Sequence, residues 1–186
     1  MNCVNLELLL NRMELFNLAG LNNLESIPNR TIVLYDTLFG NTERIAKAIA
    51  RGVQRHGEVD CLNIKNADPD RLSHYSLVAV GAPTQAFSAS KPMKEFLARL
   101  EEKNLAGRYG FAFDTKLDSR FSGSAAKYIE SRLQDIGLEM IRPRASAIVK
   151  GGTKDAVLRS GEEEVFESLG DEIGAALEKK RLPSIA

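Results

Sequence analysis

The sequence predicts an α/β protein: five parallel strands in one doubly wound sheet, ordered 2-1-3-4-5, with helices on both faces. Three observations lead there. Apolar runs of strand length alternate with longer amphipathic stretches of helical period across residues 30–181. One run, Ser76 to Gly81 (SLVAVG), is almost continuously apolar, as expected of a strand covered on both faces. Parallel neighbours need right-handed helical crossovers, and five strands joined that way make this order the natural one.

Each element has its own warrant. Thr31 to Tyr35 is a run of strand-forming residues. From Thr42 to His56, Ile45, Ile49 and Val53 fall at helical spacing, and Ala46, Ala48 and Ala50 permit close approach to a sheet. Gly57 is placed to end that helix. Val59 to Ile64 reads as the second strand. Asp68-Pro69-Asp70 opens a short helix with Pro at an early position. Ser76 to Gly81 is the third strand, followed by a loop, Ala82 to Phe87. The helix from Pro92 to Glu102 buries Met93, Phe96, Leu97 and Leu100.

Gly107 to Asp114 is the fourth strand, and Thr115 to Ser124 a polar loop. The helix Ala125 to Ile136 presents Ile129, Leu133 and Ile136 on one side. Met140-Ile141 and Ser146 to Val149 read as a fifth strand interrupted at Arg142-Pro143-Arg144, since Pro cannot donate to a ladder. The closing helix, Glu162 to Lys180, is expected to bury Val165, Phe166, Leu169, Ile173 and Leu177. Acids begin it and Lys179-Lys180-Arg181 end it, both complementing the helix dipole.

Length and composition narrow the function. With 186 residues the chain suits one domain, assigned to residues 30–181 with a short tail at 182–186. Residues 1–29 break helical patterning with repeated Asn, Gly20 and Pro28, and read as a poorly ordered or partly helical arm or an upstream start, with Met13 as a second initiator; the alternative is a helix that docks on a partner or on the domain itself. A formal net charge of zero removes the electrostatic case for nucleic acid or an anionic membrane. The two cysteines, Cys3 and Cys61, have no metal or disulfide spacing, which fits a reducing cytoplasm. No apolar run reaches membrane-spanning length, and no secretory signal is expected.

The most informative stretch is Thr31 to Thr42 (TIVLYDTLFGNT), where a strand turns directly into a helix. The first N–H groups of a helix lack intrahelical partners, and the dipole there favours an anion. Thr37 and Thr42 add hydroxyls, Asn41 an amide donor, and Gly40 lets the backbone approach a ligand. The turn lacks the Lys of a GxxxxGK[ST] loop and the spacing of GxGxxG. A cradle of neutral donors suits a terminal phosphate monoester; an ordinary strand-to-helix turn reads the same way, and the residues alone leave both open. In the expected strand order, the turns Asp36–Gly40 and Ala82–Phe87 meet at one crevice.

Tyr35-Asp36-Thr37-Leu38-Phe39-Gly40-Asn41-Thr42-Glu43 resembles the FMN phosphate loop of flavodoxins, most of all that of the flavodoxin-type domains of flavodiiron proteins. The resemblance extends from about Arg30 to Lys179 and implies a flavodoxin-like fold with bound FMN. It implies that Thr37, Leu38, Phe39, Gly40, Asn41 and Thr42 hold the phosphate, mostly through backbone N–H groups. Pro83, Thr84, Gln85, Ala86 and Phe87 correspond to the loop along the flavin ring, and Phe87 either stacks on the ring or packs under the loop. Asp114 and Thr115 begin the third site loop. There the chain departs from the pattern, having no Trp at all, and Phe113-Asp114-Thr115-Lys116 with Gly123-Ser124-Ala125-Ala126 resembles a Phe-Asp-Thr-Arg subgroup. Asp36 would repel a phosphate dianion unless its side chain points away or Arg44 compensates.

The resemblance implies an electron carrier between redox protein partners. An NAD(P)H- or quinone-linked flavin oxidoreductase, and a flavin-free interaction module on the same fold, are the alternatives. Asp36 as a phosphoryl-accepting nucleophile would want a second carboxylate for Mg²⁺, and Leu38 stands in the i+2 position. His56 and His74 fall at element boundaries, away from any candidate nucleophile.

Overall fold

Strand β1 (Arg30–Tyr35) runs between two parallel neighbours, β2 (Glu58–Asn63) at the sheet edge and β3 (Leu77–Gln85) on the inner side. The computed structural model describes residues 30–119, 122–152 and 155–181; the expected N-terminal arm, the C-terminal tail, Arg120 and Phe121 lie outside them. Beyond β3 come β5 (Tyr109–Leu117) and β7 (Ala145–Lys150), both parallel. The five principal strands thus stand in the expected 2-1-3-4-5 order. Among the described residues, three two-residue strands complete the sheet. Ser88–Ala89 (β4) folds back antiparallel on β3, Glu139–Met140 (β6) pairs with the start of β5, and Val157–Leu158 (β8) closes antiparallel on β7.

The interrupted fifth strand is present as read. Both β6 and β7 lie along the same side of β5, and the break between them carries Pro143.

Helices α1 (Asn41–Val53) and α4 (Glu162–Arg181) cover one face of the sheet, and α2 (Lys91–Leu100) and α3 (Ala125–Asp135) the other. Period-two alternation divides the core between them. From β1, Val33 and Tyr35 enter the layer with Ile45, Ile49, Phe111, Phe113 and Ile173. Ile32 and Leu34 enter the layer with Val78, Val80, Met93, Phe96, Ile129 and Leu133. A strand buried on both faces needs apolar residues at every position, which is why the runs looked continuous.

Several expectations need correction. α1 ends at Val53 with Gln54 as its C-cap residue, so Gly57 does not end it. Val165 is 61% exposed. The buried stripe of α4 passes through Phe166, Ile173 and Leu177, with Leu169 partly covered, and Val165 lies beside it. β3 continues to Gln85 and β5 to Leu117, so each loop expected after these strands begins as strand. Their outer residues gain ladder partners, β4 for β3 and β7 for β5, which local sequence does not reveal.

α1 is held very close to α4. A Cβ on Gly52 would lie 2.1 Å from the Glu167 carbonyl oxygen, and one on Gly170 would lie 2.3 Å from that of Ile49. The pair of glycines therefore fixes the seat of α1, whose first turn opens toward the carboxyl ends of the strands.

Candidate functional site

The amide of Asp36 donates to the Gly81 carbonyl at 3.0 Å, tying the carboxyl ends of β1 and β3 together where the order reverses. The chain then makes the tight turn to α1. Thr37 Oγ1 accepts from Gly40 N at 3.0 Å, and Gly40 takes φ 81°, a left-handed value glycine adopts without penalty. Arg44 N donates to Gly40 O as the first helical bond, leaving the amides of Asn41, Thr42 and Glu43 without intrahelical partners. No side chain among the described residues caps this helix. By contrast Ser90 caps α2 through Met93 N, and Ser124 caps α3 through Lys127 N.

The charge problem at Asp36 is resolved by orientation. Its buried carboxylate turns toward α2, where Oδ2 accepts from Ser90 Oγ at 2.5 Å. Arg44 is engaged elsewhere, with Glu163 at 3.0 Å. That hydrogen-bonded pair moves the Arg44 guanidinium further up and holds the Glu163 carboxyl below its usual range. The α1 turn thus offers uncharged donors.

A β-hairpin forms the second wall. Gln85 pairs with Ser88, and the two residues between them, Ala86 (φ 44°) and Phe87 (φ 67°), both adopt left-handed conformations without being glycine. Two-residue hairpins favour this geometry because its twist matches that of the strands, although Asn-Gly usually supplies it. Phe87 does not pack beneath the loop; it is 72% exposed at the hairpin tip. The hairpin rests on Gly123, where a Cβ would come within 2.4 Å of Phe87 Cα.

The third wall is the end of β5 with the turn between β7 and β8. Thr115 Oγ1 and Thr42 Oγ1 are 2.9 Å apart and buried. Asn41 Nδ2 donates to the Ala156 carbonyl at 2.7 Å, so the amide expected to meet a ligand instead tethers the β7–β8 turn to α1.

These walls enclose a cleft of about 410 Å³. Thr37, Leu38, Phe39, Asn41 and Thr42 line it from the first turn. The whole hairpin segment Pro83, Thr84, Gln85, Ala86 and Phe87 lines it from the second wall, and Thr115 from the third. Gly40 shapes the turn but is not part of the lining. Asp114 is not brought to the cleft. It is fully buried beneath, where Oδ2 accepts from Thr84 Oγ1, Ser124 Oγ and Ala126 N. An even-numbered residue of β5 faces α3, whereas Thr115 faces α1; the alternation separates two residues that were expected to act together.

Sequence reading missed Lys116, Leu117, Ser122, Val149, Gly152 and Ala156 in the lining. The extension of β5 beyond Asp114 carries the first two, and the others arrive through pairings remote in sequence. Among the described residues, Lys116 is the single charged side chain of the lining. Leu38, Phe39, Phe87 and Leu117, all cleft residues, are also among the exposed large apolar side chains.

Comparison with known proteins agrees with this fold. The family model described as Flavodoxin matches residues 33–168. A flavodoxin of Clostridium saccharobutylicum is 38% identical over 85 residues, covering 45% of this chain and 53% of the relative. The type A flavoprotein of Rhodobacter capsulatus is 28% identical over 136 residues, covering 70% of this chain and 30% of the relative. The chain therefore spans about half the length of the first curated relative and a smaller part of the second.

Among solved structures, a flavodoxin from the domain Archaea superposes with TM-score 0.67 at 24% identity, over 80% of this chain and 99% of the other. The rubredoxin oxygen:oxidoreductase of Desulfovibrio gigas gives TM-score 0.69 at 19% identity, over 86% and 39%. The chain belongs to the flavodoxin family, whose cofactor is FMN. No helix among the described residues is long and apolar enough to cross a membrane.

Proposed function

We propose that this chain binds FMN in the cleft, with its phosphate at the first turn of α1, and carries electrons between redox protein partners. The uncapped start of α1 carries the reading, because it opens on a cleft whose lining is largely apolar. The residues present fit the group. FMN joins a dianionic phosphate to a broad flat ring, and the cleft joins a cluster of neutral donors to exposed apolar surface at Leu38, Phe39 and Phe87.

The chain's own residues divide the work. The amides of Asn41 and Thr42 and the hydroxyl of Thr37 would meet the phosphate, aided by the α1 dipole. Asp36, held by Ser90, keeps its charge out of the turn. Asn41 and Thr42 brace the adjoining walls through Ala156 and Thr115. The apolar rim excludes water from the ring and leaves an edge open to a partner. When bound, FMN supplies the redox chemistry, and the protein supplies position and electrostatics. A reducing cytoplasm suits the free thiol of Cys61.

The test begins with the purified full-length chain. It should be yellow, with an oxidised-flavin absorption band and a cofactor whose extracted mass is that of FMN. NAD(P)H should not be consumed by the chain alone and should be consumed once a separate flavodoxin reductase is added. A colourless protein that takes up no added FMN overturns the reading, and rapid NAD(P)H oxidation without a reductase overturns the carrier role.

A further inference from the structure

We infer that Asp114, a residue no ligand in the cleft can touch, is the positioning residue that fixes the Phe87 hairpin as one wall of the site; this deepens the reading that FMN fills that cleft. One carboxylate oxygen joins three parts of the fold. Oδ2 accepts from Thr84 Oγ1 at 3.1 Å, from Ser124 Oγ at 2.7 Å and from Ala126 N at 2.9 Å. The same Thr84 hydroxyl accepts from Ala125 N at 2.9 Å, closing a ring between β3 and the first turn of α3. β5 supplies the acid, β3 one hydroxyl, and α3 the rest.

The placement of these partners gives the acid its role. Thr84 comes two residues before the Ala86–Phe87 turn, and Ser124 directly follows Gly123, the residue on which that turn rests. Non-glycine residues in left-handed conformations persist where their surroundings over-determine them. Two ladder pairs, Thr84 with Ala89 and Gln85 with Ser88, hold the hairpin from within. The Gly123 support holds it from outside, and the Asp114 carboxylate clamps both supports to β5. The hairpin side chains form the cleft wall, so the clamp sets how far Phe87 and Gln85 stand from the opposite turn.

Helix capping does not account for the residue alone. Ser124 already caps α3 through Lys127 N, and Asp114 Oδ1 is buried with no hydrogen-bond partner among the described residues. The three hydrogen bonds converging on Oδ2 hold the acid and its partners in one arrangement, while the unpartnered Oδ1 costs stability.

The experiment compares the full-length chain with Asp114→Asn, Ser124→Ala, Thr84→Val and Thr84→Ser. Hydrogen exchange of the apoprotein at the amides of Ala86–Ser88 is read first, because it needs no flavin. FMN dissociation constants and thermal midpoints follow. In Asp114→Asn and Thr84→Val, hairpin exchange should accelerate and FMN binding weaken by about tenfold or more, as expected when a binding group is misplaced. Ser124→Ala, which leaves the cleft lining intact, should shift both in the same direction. Thr84→Ser should restore both. The Asp114→Asn and Thr84→Val effects should not multiply in the double variant, since they break one clamp. Lower midpoints with hairpin exchange and FMN affinity unchanged would reduce Asp114 to an ordinary helix cap and overturn the inference. If Asp114→Asn does not fold, Thr84→Val and Ser124→Ala decide by the same readings. Should the wild-type chain take up no FMN, the exchange result still stands or falls by itself.

Discussion

The hydroxyls of Thr42 and Thr115 lie 2.9 Å apart, buried, joining residues that are 73 positions apart in sequence. Thr42 belongs to the first turn of α1 and Thr115 to the outer part of β5, and both line the cleft. Two hydroxyls share one hydrogen bond using one proton, so the other O–H remains available to a ligand acceptor. Thr42→Val should lower stability by about 1–3 kcal/mol by leaving Thr115 unpaired, and Thr42→Ser should recover most of it. Urea unfolding of the single and double valine variants checks this. The double variant should be less destabilised than the sum of the singles, and additive losses would show that the pair is uncoupled.

The seat of α1 rests on Gly52. A methyl group there would overlap the backbone of α4, so neither a side-chain rotation nor a small shift relieves it. Gly52→Ala should cost about 1–3 kcal/mol despite alanine's better helix propensity, as overpacking does. A neutral or stabilising result in chemical denaturation would mean that the two helices are less closely packed than described.

His56 places one ring nitrogen 3.0 Å from Glu178 and the other 3.0 Å from Asp171, both on α4. Glu178 first and Asp171 second raise the pKa of the imidazole, and burial opposes them. A histidine whose folded pKa lies above its unfolded value adds stability fully below about pH 6.5, and loses it as pH rises through the folded value. The stability gap between wild type and His56→Gln should therefore be wide at pH 6 and narrow at pH 9. Thermal midpoints across that range provide the check, in the presence of Arg55, which also lies 3.5 Å from Asp171.

Burial pushes the Cys61 thiol up to about 11. Lys47 lowers it and Glu43 raises it, both by less. Only thiolate is nucleophilic, so alkylation at pH 8 should be about a hundredfold slower than for an exposed cysteine, and should become ordinary in denaturant. Mass spectrometry resolves Cys61 from Cys3. Rapid labelling of Cys61 in the folded chain would contradict its burial.

The sheet was readable because its inner strands β1, β3 and β5 are buried on both faces along most of their length, and amphipathic helices separate the strands, which leaves a clear alternation of period. The α1 turn was readable for a similar reason: hydroxyl, glycine and helix start are adjacent in sequence. The remaining walls depend on distant pairings. Nothing in Ala86-Phe87 announces a hairpin turn, since both residues disfavour positive φ and are held there by contacts remote in sequence, the packing on Gly123 among them. Asn41 reads as a ligand donor until Ala156 comes within 2.7 Å of it. Asp114 and Thr115 are neighbours in sequence, but the pleat sends one to α3 and the other to α1.

Calorimetric titration of the apoprotein with FMN and with riboflavin, which share the ring and differ in the phosphate, tests the anion-binding role of the α1 turn most directly. FMN should bind at least about a hundredfold more tightly, since a terminal phosphate gathers several charge-assisted hydrogen bonds and the helix dipole. Equal affinities for the two flavins would contradict the assignment of that turn.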